Sequence, residues 1–347
     1  MRSAFFTGTR QIQLGEMPDR DPNADEAVVD VTAVGVCGSD LHNYLLGNVG
    51  GVSASEPLVL GHEAAGVVVA VGKNARDSLR VGQRVAIDPA TPCLHCEFCE
   101  HGQHHLCLNL QFMGYFPQHG ALRERMTHPA RCLVPVPESI SDIGAAMLEP
   151  LGVSLHAIRL AHIQVGEDVL VIGAGAIGLT IIRLARLAGA RRIIAVDRYG
   201  WRLDMAANFG ASHLINTDQT PVLEEVRRIT NKRGPDVALE AAWVTDTAQQ
   251  CIDAVRHGGR VVIVGIPAED NITINASSWR RKEVRVDYSR RMNHTYAAAI
   301  ALAEGGQVDV DALATHRFPL AETQAAFEVA GTYQQGVVRS VILPQAK

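Results

Sequence analysis

The stretch that decides the fold is DVLVIGAGAIGLTIIRLARLAGARRIIAVD, residues 168–197. It begins as an apolar run, passes through a glycine-rich turn into an amphipathic helical pattern, and ends in a second apolar run. This order predicts a parallel β-α-β unit, because a helical crossover is what returns a chain to a parallel strand. Apolar runs at 235–242 and 258–266 continue the alternation. The sequence therefore predicts an α/β fold with a doubly wound parallel sheet, covered by helices on both faces.

The turn GAGAIG has the glycine spacing of a dinucleotide site. The first glycine permits the tight turn, the second allows backbone to approach a pyrophosphate, and the third lets helix and strand pack closely. Asp197 ends the second strand nineteen residues after Gly178, near the ~20 expected for a carboxylate that binds ribose hydroxyls. That acid favours NAD over NADP, although Arg198 and Arg202 could accept a 2′-phosphate or be solvated surface charges. The candidate coenzyme residues are Gly173, Gly175, Ile177, Gly178, Asp197 and Arg202.

The chain changes character at about residue 141. Before it, short valine-rich runs at 26–37, 64–72, 83–89 and 131–137 are separated by turn residues. This pattern predicts a β-rich domain with long loops, where sites tend to lie. After about 285 the chain returns to mixed elements. At 347 residues, the length also favours two domains.

Composition excludes several classes of function. The net charge of −5 provides no basic field for nucleic acid or anionic lipid, and no apolar run approaches the ~20 residues of a membrane span. Four of the seven cysteines lie in one cluster. Clustered thiols in a long chain are typical of metal ligands rather than disulfides, so we expect a cytoplasmic protein.

The cysteine cluster is PCLHCEFCEHGQHHLC, residues 92–107. Four thiolates can close a tetrahedral shell around zinc and leave no open coordination position, which is the pattern of a structural site. Neighbouring histidines could substitute, but soft thiolates should win the zinc; free thiols are the other alternative. The predicted ligands are Cys93, Cys96, Cys99 and Cys107, and the possible substitutes are His95, His101, His104 and His105.

A closed sulfur shell cannot hold a substrate, so the chemistry needs another place. VCGSDLH contributes Cys37, LGHEAAG contributes His62, and LEPLG contributes Glu149. One cysteine, one histidine and one carboxylate from separate segments can form an open zinc site with room for water or substrate. Spacing alone does not show that the three segments meet, and each residue could equally be an ordinary buried side chain.

Taken together, the motifs resemble the zinc-containing medium-chain dehydrogenase family. VCGSDLH, LGHEAAG, the cysteine lobe, LEPLGVSLHA, GAGAIG with Asp197, and THRFPL occur in the family's order over essentially the full chain. Within the family, the chain resembles the polyol branch, that of sorbitol and xylitol dehydrogenases, most closely. The motifs that carry this resemblance are GHE, Glu149–Pro150 and RRMNHTY. The cysteine lobe, which many animal sorbitol dehydrogenases lack, is also similar to that of threonine dehydrogenases.

The resemblance implies a GroES-like catalytic domain at 1–152 and 288–347, with a Rossmann NAD-binding domain at 153–287. It implies two zinc ions per chain, one catalytic and one structural. Cys37 and His62 become ligands of the catalytic zinc, completed by Glu63 or Glu149. Ser39 and His42 match a proton relay to solvent, and Arg291 matches a substrate-side arginine. A dimer or tetramer is also expected by family analogy.

The expected reaction is transfer of hydride from a secondary alcohol, of polyol, sugar-alcohol or sugar-acid type, to NAD. Zinc would lower the pKa of the alcohol, and His42 would carry protons near neutral pH. Two alternatives remain open at this point. One is a threonine or amino-alcohol dehydrogenase, and the other is a non-catalytic, zinc-bearing binding protein. A zinc-free quinone reductase fits less well with Cys37, His62 and Glu63.

Overall fold

The structure is a computed structural model of the chain. It describes residues 1–49, 51–75, 77–242, 244–267, 271–333 and 336–346. The chain divides into two compact units, which we call unit 1 (Met1–Pro150 with Tyr296–Lys347) and unit 2 (Leu151–Thr295). The boundaries that the sequence analysis gives for the catalytic and NAD-binding domains, at residues 152 and 288, stay a prediction.

The strands follow one another along both units. In chain order they are β1 (Arg2–Gly8), β2 (Gln11–Glu16), β3 (Glu26–Gly35), β4 (Leu58–Val59), β5 (Glu63–Val71), β6 (Arg84–Ile87), β7 (Ala90–Thr91), β8 (Gln111–Phe112), β9 (Arg125–Pro129), β10 (Leu133–Pro135), β11 (Asp168–Ile172), β12 (Arg192–Asp197), β13 (His213–Asn216), β14 (Val237–Glu240), β15 (Arg260–Ile263), β16 (Arg285–Tyr288), β17 (Ala314–Pro319) and β18 (Arg339–Leu343).

The helices are concentrated after residue 141. They are α1 (Gly38–Leu46), α2 (Glu97–Glu100), α3 (Asp142–Ala161), α4 (Ala176–Leu187), α5 (Gly200–Phe209), α6 (Val222–Ile229), α7 (Thr247–Ala254), α8 (Ala276–Lys282), α9 (Tyr296–Glu304) and α10 (Thr323–Thr332). Within the described residues, α3 is the longest of these helices and runs through Pro150. In the described part of the chain, no helix combines the length and the apolar composition that a membrane span requires.

Unit 2 is built on a parallel sheet with strand order β13-β12-β11-β14-β15-β16. Every residue of the central strand β11 is buried, which is why its sequence DVLVI has no polar alternation after its first residue. The chain moves outward from β11 to β12 and β13, and then to β14, β15 and β16 on the other side. This reversal opens a crevice at the carboxyl ends of β11 and β14, where open α/β sheets bind ligands.

Unit 1 contains a larger sheet, whose main path is β10-β6-β5-β3-β18-β17 with β9 paired to β3. β3 and β5 are long antiparallel partners whose register shifts twice, between Val28 and Val29 and between Val31 and Ala33. Such irregularities increase the local twist and bend the sheet. β18, from near the end of the chain, pairs with β3 at its Val34–Gly35 end. The sheet is therefore assembled from both parts of unit 1.

Candidate functional site

The glycine-rich turn between β11 and α4 leaves room for a ligand. Gly173 has φ +97°, and a side chain there would lie 2.7 Å from the Ala241 carbonyl oxygen. A Cβ at Gly178 would lie on the Gly173 carbonyl oxygen, whereas one at Gly175 would meet nothing within 4 Å. The outer face of the turn is thus open at the N-terminus of α4, which attracts anions. Ile177 lies half-buried in the first turn of that helix.

Asp197 lies at the carboxyl end of β12 and closes the side of this turn. Its Oδ2 accepts a 2.9 Å hydrogen bond from the Ala174 N–H, and its Oδ1 accepts one of the same length from the Tyr199 N–H. Arg202 approaches Oδ2 at 3.7 Å and stacks over the Tyr199 and Trp201 rings, at 5.2 and 5.1 Å from their centroids. The carboxylate that suits ribose hydroxyls is therefore held in place by backbone.

In unit 1, one group of possible metal ligands gathers at the ends of β3 and β5. Cys37 precedes α1, His62 precedes β5, and Glu63 begins that strand. Ligand atoms of these three residues all lie within 4.8 Å of one another. His62 and Glu63 are almost fully buried, with exposures of 3% and 1%. We call these three residues the Cys-His-Glu group.

Asp40 connects two of the segments that form this group. One carboxylate oxygen accepts from the Cys37 N–H at 3.0 Å, and the other accepts from the Gly61 N–H at 3.2 Å. The second oxygen also lies 3.5 Å from His62 Nδ1. A carboxylate in this position fixes the ring orientation of a ligating histidine.

Arg339, on β18, lies beside the third member of the group. Its Nη2 is 3.0 Å from Glu63 Oε1, and its Nη1 donates to the Val36 carbonyl oxygen at 2.8 Å. Gly35 lies beneath, where a Cβ would come within 2.3 Å of Glu63 Oε2. The missing side chain therefore provides the space that the Glu63 carboxylate occupies.

The charges of the group fit a bound cation. Burial alone would lower the pKa of His62, but the Asp40 carboxylate and the Cys37 thiolate outweigh it and hold that pKa well above its ordinary value. In addition, Glu63 Oε2 is buried without a hydrogen-bond partner in the described residues. A sulfur, an imidazole nitrogen and a carboxylate oxygen are ligands that zinc accepts, and three protein ligands leave a position open. The residues fit a catalytic zinc site.

Ser39 and His42 lie on α1, three residues apart and thus on one face of the helix. Ser39 Oγ lies 3.4 Å from His62 Nε2. His42 is buried, and burial lowers its pKa to about 4. The imidazole is therefore neutral near pH 7, and the expectation that its ordinary pKa would suit proton transfer at that pH does not hold in this environment.

Two aromatic side chains cover the histidine of the Cys-His-Glu group. The Phe112 ring lies 5.3 Å from the His62 ring, and the Tyr115 ring lies 6.3 Å from it. The two aromatic rings meet edge to face at 5.1 Å. Both follow the cysteine loop in sequence, so the segment that contains that loop also forms an apolar wall of the group.

The second group of ligands is the cysteine loop, residues 93–107. The sulfur atoms of Cys93, Cys96, Cys99 and Cys107 all lie within 4.8 Å of one another, and none of them forms a disulfide. His95 and His101 direct their Nδ1 atoms to the backbone carbonyls of Cys93 and Glu97. The possible histidine substitutes are absent from the described four-sulfur group.

The thiols of this loop titrate unequally. The His95 N–H is the main cause that lowers the pKa of Cys93 to about 6, as the Leu108 N–H lowers that of Cys96. Burial, with help from the other sulfurs, raises the pKa of Cys99 to about 12. The four-sulfur group fits zinc, which takes four thiolates in a closed shell and would keep all four sulfurs deprotonated, Cys99 included.

Comparison with known proteins identifies the family. The models described as "Alcohol dehydrogenase GroES-like domain" and "Zinc-binding dehydrogenase" match residues 23–138 and 176–305. The sorbitol dehydrogenase of Bacillus subtilis is 36% identical over 344 residues, which cover 99% of this chain and 97% of that protein. This chain belongs to the zinc-binding alcohol dehydrogenase family.

Other relatives extend the comparison. The L-idonate 5-dehydrogenase of Vitis vinifera is 34% identical over 326 residues, covering 92% of this chain and 88% of that protein. An alcohol dehydrogenase of Escherichia coli CFT073, solved with NADH, superposes with a TM-score of 0.90 at 29% identity and covers 99% of both chains. The predicted fold class, the family and its polyol branch are confirmed, and the chain is an enzyme.

The structure of this dehydrogenase brings together some of the predicted site residues and not others. Cys37, His62 and Glu63 meet, whereas Glu149 lies outside their group and contributes to the electrostatic environment of Arg339. Arg291 is half-buried in unit 2, in the segment after β16. Its role at the substrate, like the roles of the other site residues, stays a prediction.

Sequence reasoning missed four residues around the Cys-His-Glu group: Asp40, Phe112, Tyr115 and Arg339. Asp40 could have been found, because an acid three residues after the residue that precedes a helix is a capping signal. The aromatic pair and Arg339 had no such local signal. Arg339 in particular is 303 residues away in sequence from Val36, to whose carbonyl oxygen its side chain donates.

Proposed function

We propose that this dehydrogenase oxidises a secondary alcohol group of a polyol, sugar alcohol or sugar acid and transfers the carbon-bound hydride to NAD. The observation that carries the proposal is the Cys-His-Glu group, in which half-buried Cys37 and buried His62 and Glu63 place ligand atoms within 4.8 Å of one another. Such a set leaves a zinc position for substrate. The names of the relatives, a sorbitol and an idonate dehydrogenase, support the substrate class.

In this proposal Cys37, His62 and Glu63 hold the catalytic zinc. The metal, when bound, withdraws electron density from the alcohol oxygen and lowers the pKa of the alcohol. Asp40 orients the His62 ring, while the Arg339 guanidinium balances the buried negative charge of Glu63. The aromatic wall of Phe112 and Tyr115 keeps water from one side of the group and strengthens these interactions.

The alcohol proton leaves through α1 in the same proposal. Ser39, within 3.4 Å of His62 Nε2, accepts that proton and passes its own toward His42 on the same helix face. Because His42 is neutral at pH 7, it can accept a proton. Its low pKa means that it holds the proton only briefly before releasing it onward.

A second zinc is proposed for the cysteine loop, where it has no substrate to bind. We therefore expect two zinc ions per chain. The seven cysteines supply a matched control, since Cys132 is buried outside both ligand groups and its thiol donates to the Ala90 carbonyl.

The test is Cys37→Ser compared with Cys132→Ser. Cys37→Ser should lose one of two zinc ions, measured by metal analysis, and its oxidation of sorbitol, xylitol or L-idonate with NAD should fall below detection. Cys132→Ser should keep both zinc ions and its turnover. Undiminished turnover in Cys37→Ser would refute the assignment of the site, and turnover of threonine alone would favour the amino-alcohol alternative.

The preference for NAD is proposed from Asp197. A 2′-phosphate would approach a carboxylate that two backbone N–H groups hold in place, and like charges repel there. In Asp197→Ser the ratio of kcat/KM for NAD to that for NADP should fall by about tenfold or more, on the scale of one charged contact. An unchanged ratio would show that Arg198 and Arg202 decide the choice. Assembly as a dimer or tetramer and a cytoplasmic location stay predictions.

A further inference from the structure

Glu240 is a buried carboxyl at the carboxyl end of β14, with an exposure of 2%. Its Oε1 accepts from the Thr247 hydroxyl at 2.8 Å and from the Ala242 N–H at 2.9 Å. Its Oε2 accepts from the Gly265 N–H at 3.1 Å. One side chain thus binds three pieces of the chain: the segment after β14, the segment after β15, and the first turn of α7.

The carboxylates at the opposite edge of the same sheet differ from Glu240 because each of them pairs with an arginine. Asp168, at the start of β11, pairs with Arg191 at 2.9 Å, and Asp236, just before β14, pairs with Arg233 and Arg256 at 2.6 Å. No cation of the described chain pairs with Glu240. A buried carboxyl without a counter-ion lowers the stability of a fold, and such groups are often found at functional sites.

Three pieces of backbone pack around this carboxyl. The Ala241 carbonyl oxygen occupies the space that a side chain on Gly173 would need, and the Ala242 carbonyl oxygen lies 1.7 Å from where a Cβ of Gly265 would be. The glycine-rich turn, residues 241–242 and Gly265 therefore form one contiguous surface at the carboxyl edge. Glu240 lies directly beneath it.

The topology assigns that surface to one half of a dinucleotide. The pyrophosphate belongs at the turn 173–178, and the adenosine ribose belongs at Asp197 on the β12 side. The remaining half, the nicotinamide nucleoside, must extend to the other side of β11, over the ends of β14 and β15. Residues 241–242 and Gly265 lie there.

We propose that Glu240 is a positioning residue for the nicotinamide half of the coenzyme, and that it acts through the Ala242 and Gly265 peptides only when it is ionised. The proposal rests on the proposed function as an NAD-dependent enzyme. All three of its partners are donors in the contacts above, and a carboxylate can accept from all three. A protonated carboxyl can turn its proton to the Thr247 hydroxyl, which then donates to the Val244 carbonyl oxygen at 2.6 Å. It nevertheless loses its charge, and a neutral carboxyl accepts more weakly from the Ala242 and Gly265 N–H groups than a carboxylate does.

This ionisation falls in the neutral range. Burial raises the pKa of Glu240 to about 7, although the Thr247 hydroxyl and the Ala242 and Gly265 N–H groups lower it. Of the described elements packed against it, α7 contributes the other titratable group, the Cys251 thiol, whose pKa burial and Glu240 raise well above its ordinary value. That thiol is therefore neutral throughout the window.

The stability of the fold and the affinity for NADH should depend on pH in opposite directions. A carboxyl with a raised folded-state pKa stabilises the fold fully below its ordinary pKa of 4.5, and this contribution is lost as the pH rises through about 7. Coenzyme affinity should run the opposite way, because the ionised form positions the peptides. NADH should bind more tightly at pH 8 than at pH 6, by about twofold to tenfold, the range for one hydrogen bond.

The experiment measures dissociation constants of NADH and of ADP-ribose, which lacks the nicotinamide, from pH 6 to 8.5 by calorimetry. Glu240→Gln should weaken NADH and flatten its pH dependence while it leaves ADP-ribose unchanged. The matched control, Glu224→Gln, changes an exposed carboxyl on α6 and should keep the wild-type profile. Thr247→Val removes one donor to the carboxylate and should move the midpoint of the NADH profile to higher pH.

The outcomes separate the two proposals. Wild-type protein that binds neither NADH, NADPH nor ADP-ribose would refute the proposed function. NADH affinity with the same pH dependence in Glu240→Gln as in wild type would overturn the role of Glu240 alone, as would equal losses for NADH and ADP-ribose. If Glu240→Gln does not fold, Thr247→Val decides, and a midpoint that stays in place overturns the proposal.

Discussion

Arg339 shows how much a single buried side chain can contribute to the Cys-His-Glu group. Burial by itself would lower the pKa of this guanidinium, yet four neighbouring groups, Glu63 first, raise it. Three of these groups are carboxylates, and they outnumber the two cations, Arg339 and the His62 imidazole with its raised pKa. That balance is what a divalent metal would correct, and it makes Arg339 necessary even when the metal is absent.

We predict that Arg339→Met destabilises unit 1. The change leaves Glu63 buried without its partner, which typically costs about 3–5 kcal/mol, and it removes the hydrogen bond to the Val36 carbonyl oxygen. The measurement is urea unfolding of Arg339→Met and of wild type with zinc chelated. The zinc content of each protein is then measured after zinc is added back.

The control for this prediction is Arg317→Met on the neighbouring strand β17. Arg317 is exposed, so its removal should change the free energy of unfolding by less than about 0.5 kcal/mol. Equal losses in the two variants would mean that Arg339 contributes only the packing of its stem, and not the charge argued here.

For single residues, the sequence predicts the members of the Cys-His-Glu group from residue type and from short motifs. Cys37 and His62 are residue types that bind zinc, and the carboxylate beside His62 is part of the same motif. Glu63, and not Glu149, lies in the Cys-His-Glu group because β5 pairs with β3 at Gly35, a contact between strands. A cross-strand contact has no counterpart in a single short motif, so the choice could not be made from sequence.

Among the elements, the cysteine loop is the one whose structure depends most on residues close together in sequence. Its ligands lie within fifteen residues, and the short α2 and the 3₁₀ turn His104–Leu106 bring the sulfurs together. With the zinc proposed here, a loop with so little regular structure would depend on its metal, because binding free energy at such a site is folding free energy.

We predict that Cys107→Ser releases one zinc ion per chain and leaves the other. Cys107 is buried and its sulfur accepts from the Cys93 N–H at 3.2 Å, so its loss opens the loop from within. Limited proteolysis should then cut between residues 93 and 112 at a rate that wild type reaches only with chelator. Cys132→Ser should stay resistant, and a resistant Cys107→Ser would show that the loop holds its shape without metal.

Strand β14 has a carboxylate near each end, and the two act differently. The Asp236 carboxylate accepts hydrogen bonds from the Asp168 N–H and from the guanidinium groups of Arg233 and Arg256. Burial would raise the pKa of Asp236, but these donors together hold it well below its usual range. Such a group contributes stability above its ordinary pKa of about 3.8, and the contribution is lost as the pH falls below that value.

We predict that Asp236→Asn lowers the stability of unit 2 at pH 7 by about 1–3 kcal/mol, the usual range for leaving buried donors without their acceptor. The difference from wild type should shrink as the pH is lowered from 5 to 2, because the carboxyl of the unfolded wild-type chain then takes up a proton that the folded carboxylate does not. Thermal unfolding across this range is the measurement. Asp218→Asn, at an exposed ion pair of 3.8 Å, should match wild type, and a difference that grows in acid would contradict the argument.

For the whole molecule, the two units differ in how far sequence could describe them. In unit 2 strands and helices alternate from β11 to β16, so alternation along the chain predicts the layers, and the glycine turn fixes the ligand edge. In unit 1 the sheet joins strands from distant parts of the chain, and β3 with β5 shifts register twice. Neither feature follows from strand propensity, because both depend on which distant strand is the partner.

The insertion of β18 beside β3 has a consequence for how the protein is made. During synthesis residues 93–107 emerge early and contain their own four ligands, so the loop can take up metal while translation continues. The Cys-His-Glu group must wait for Arg339, whose strand emerges more than two hundred residues later. Ribosome-stalled chains of increasing length, supplied with zinc and a thiol-alkylating reagent, should protect Cys99 and Cys107 well before Cys37. Simultaneous protection would show that the first half of the chain closes around its metal without the last strand.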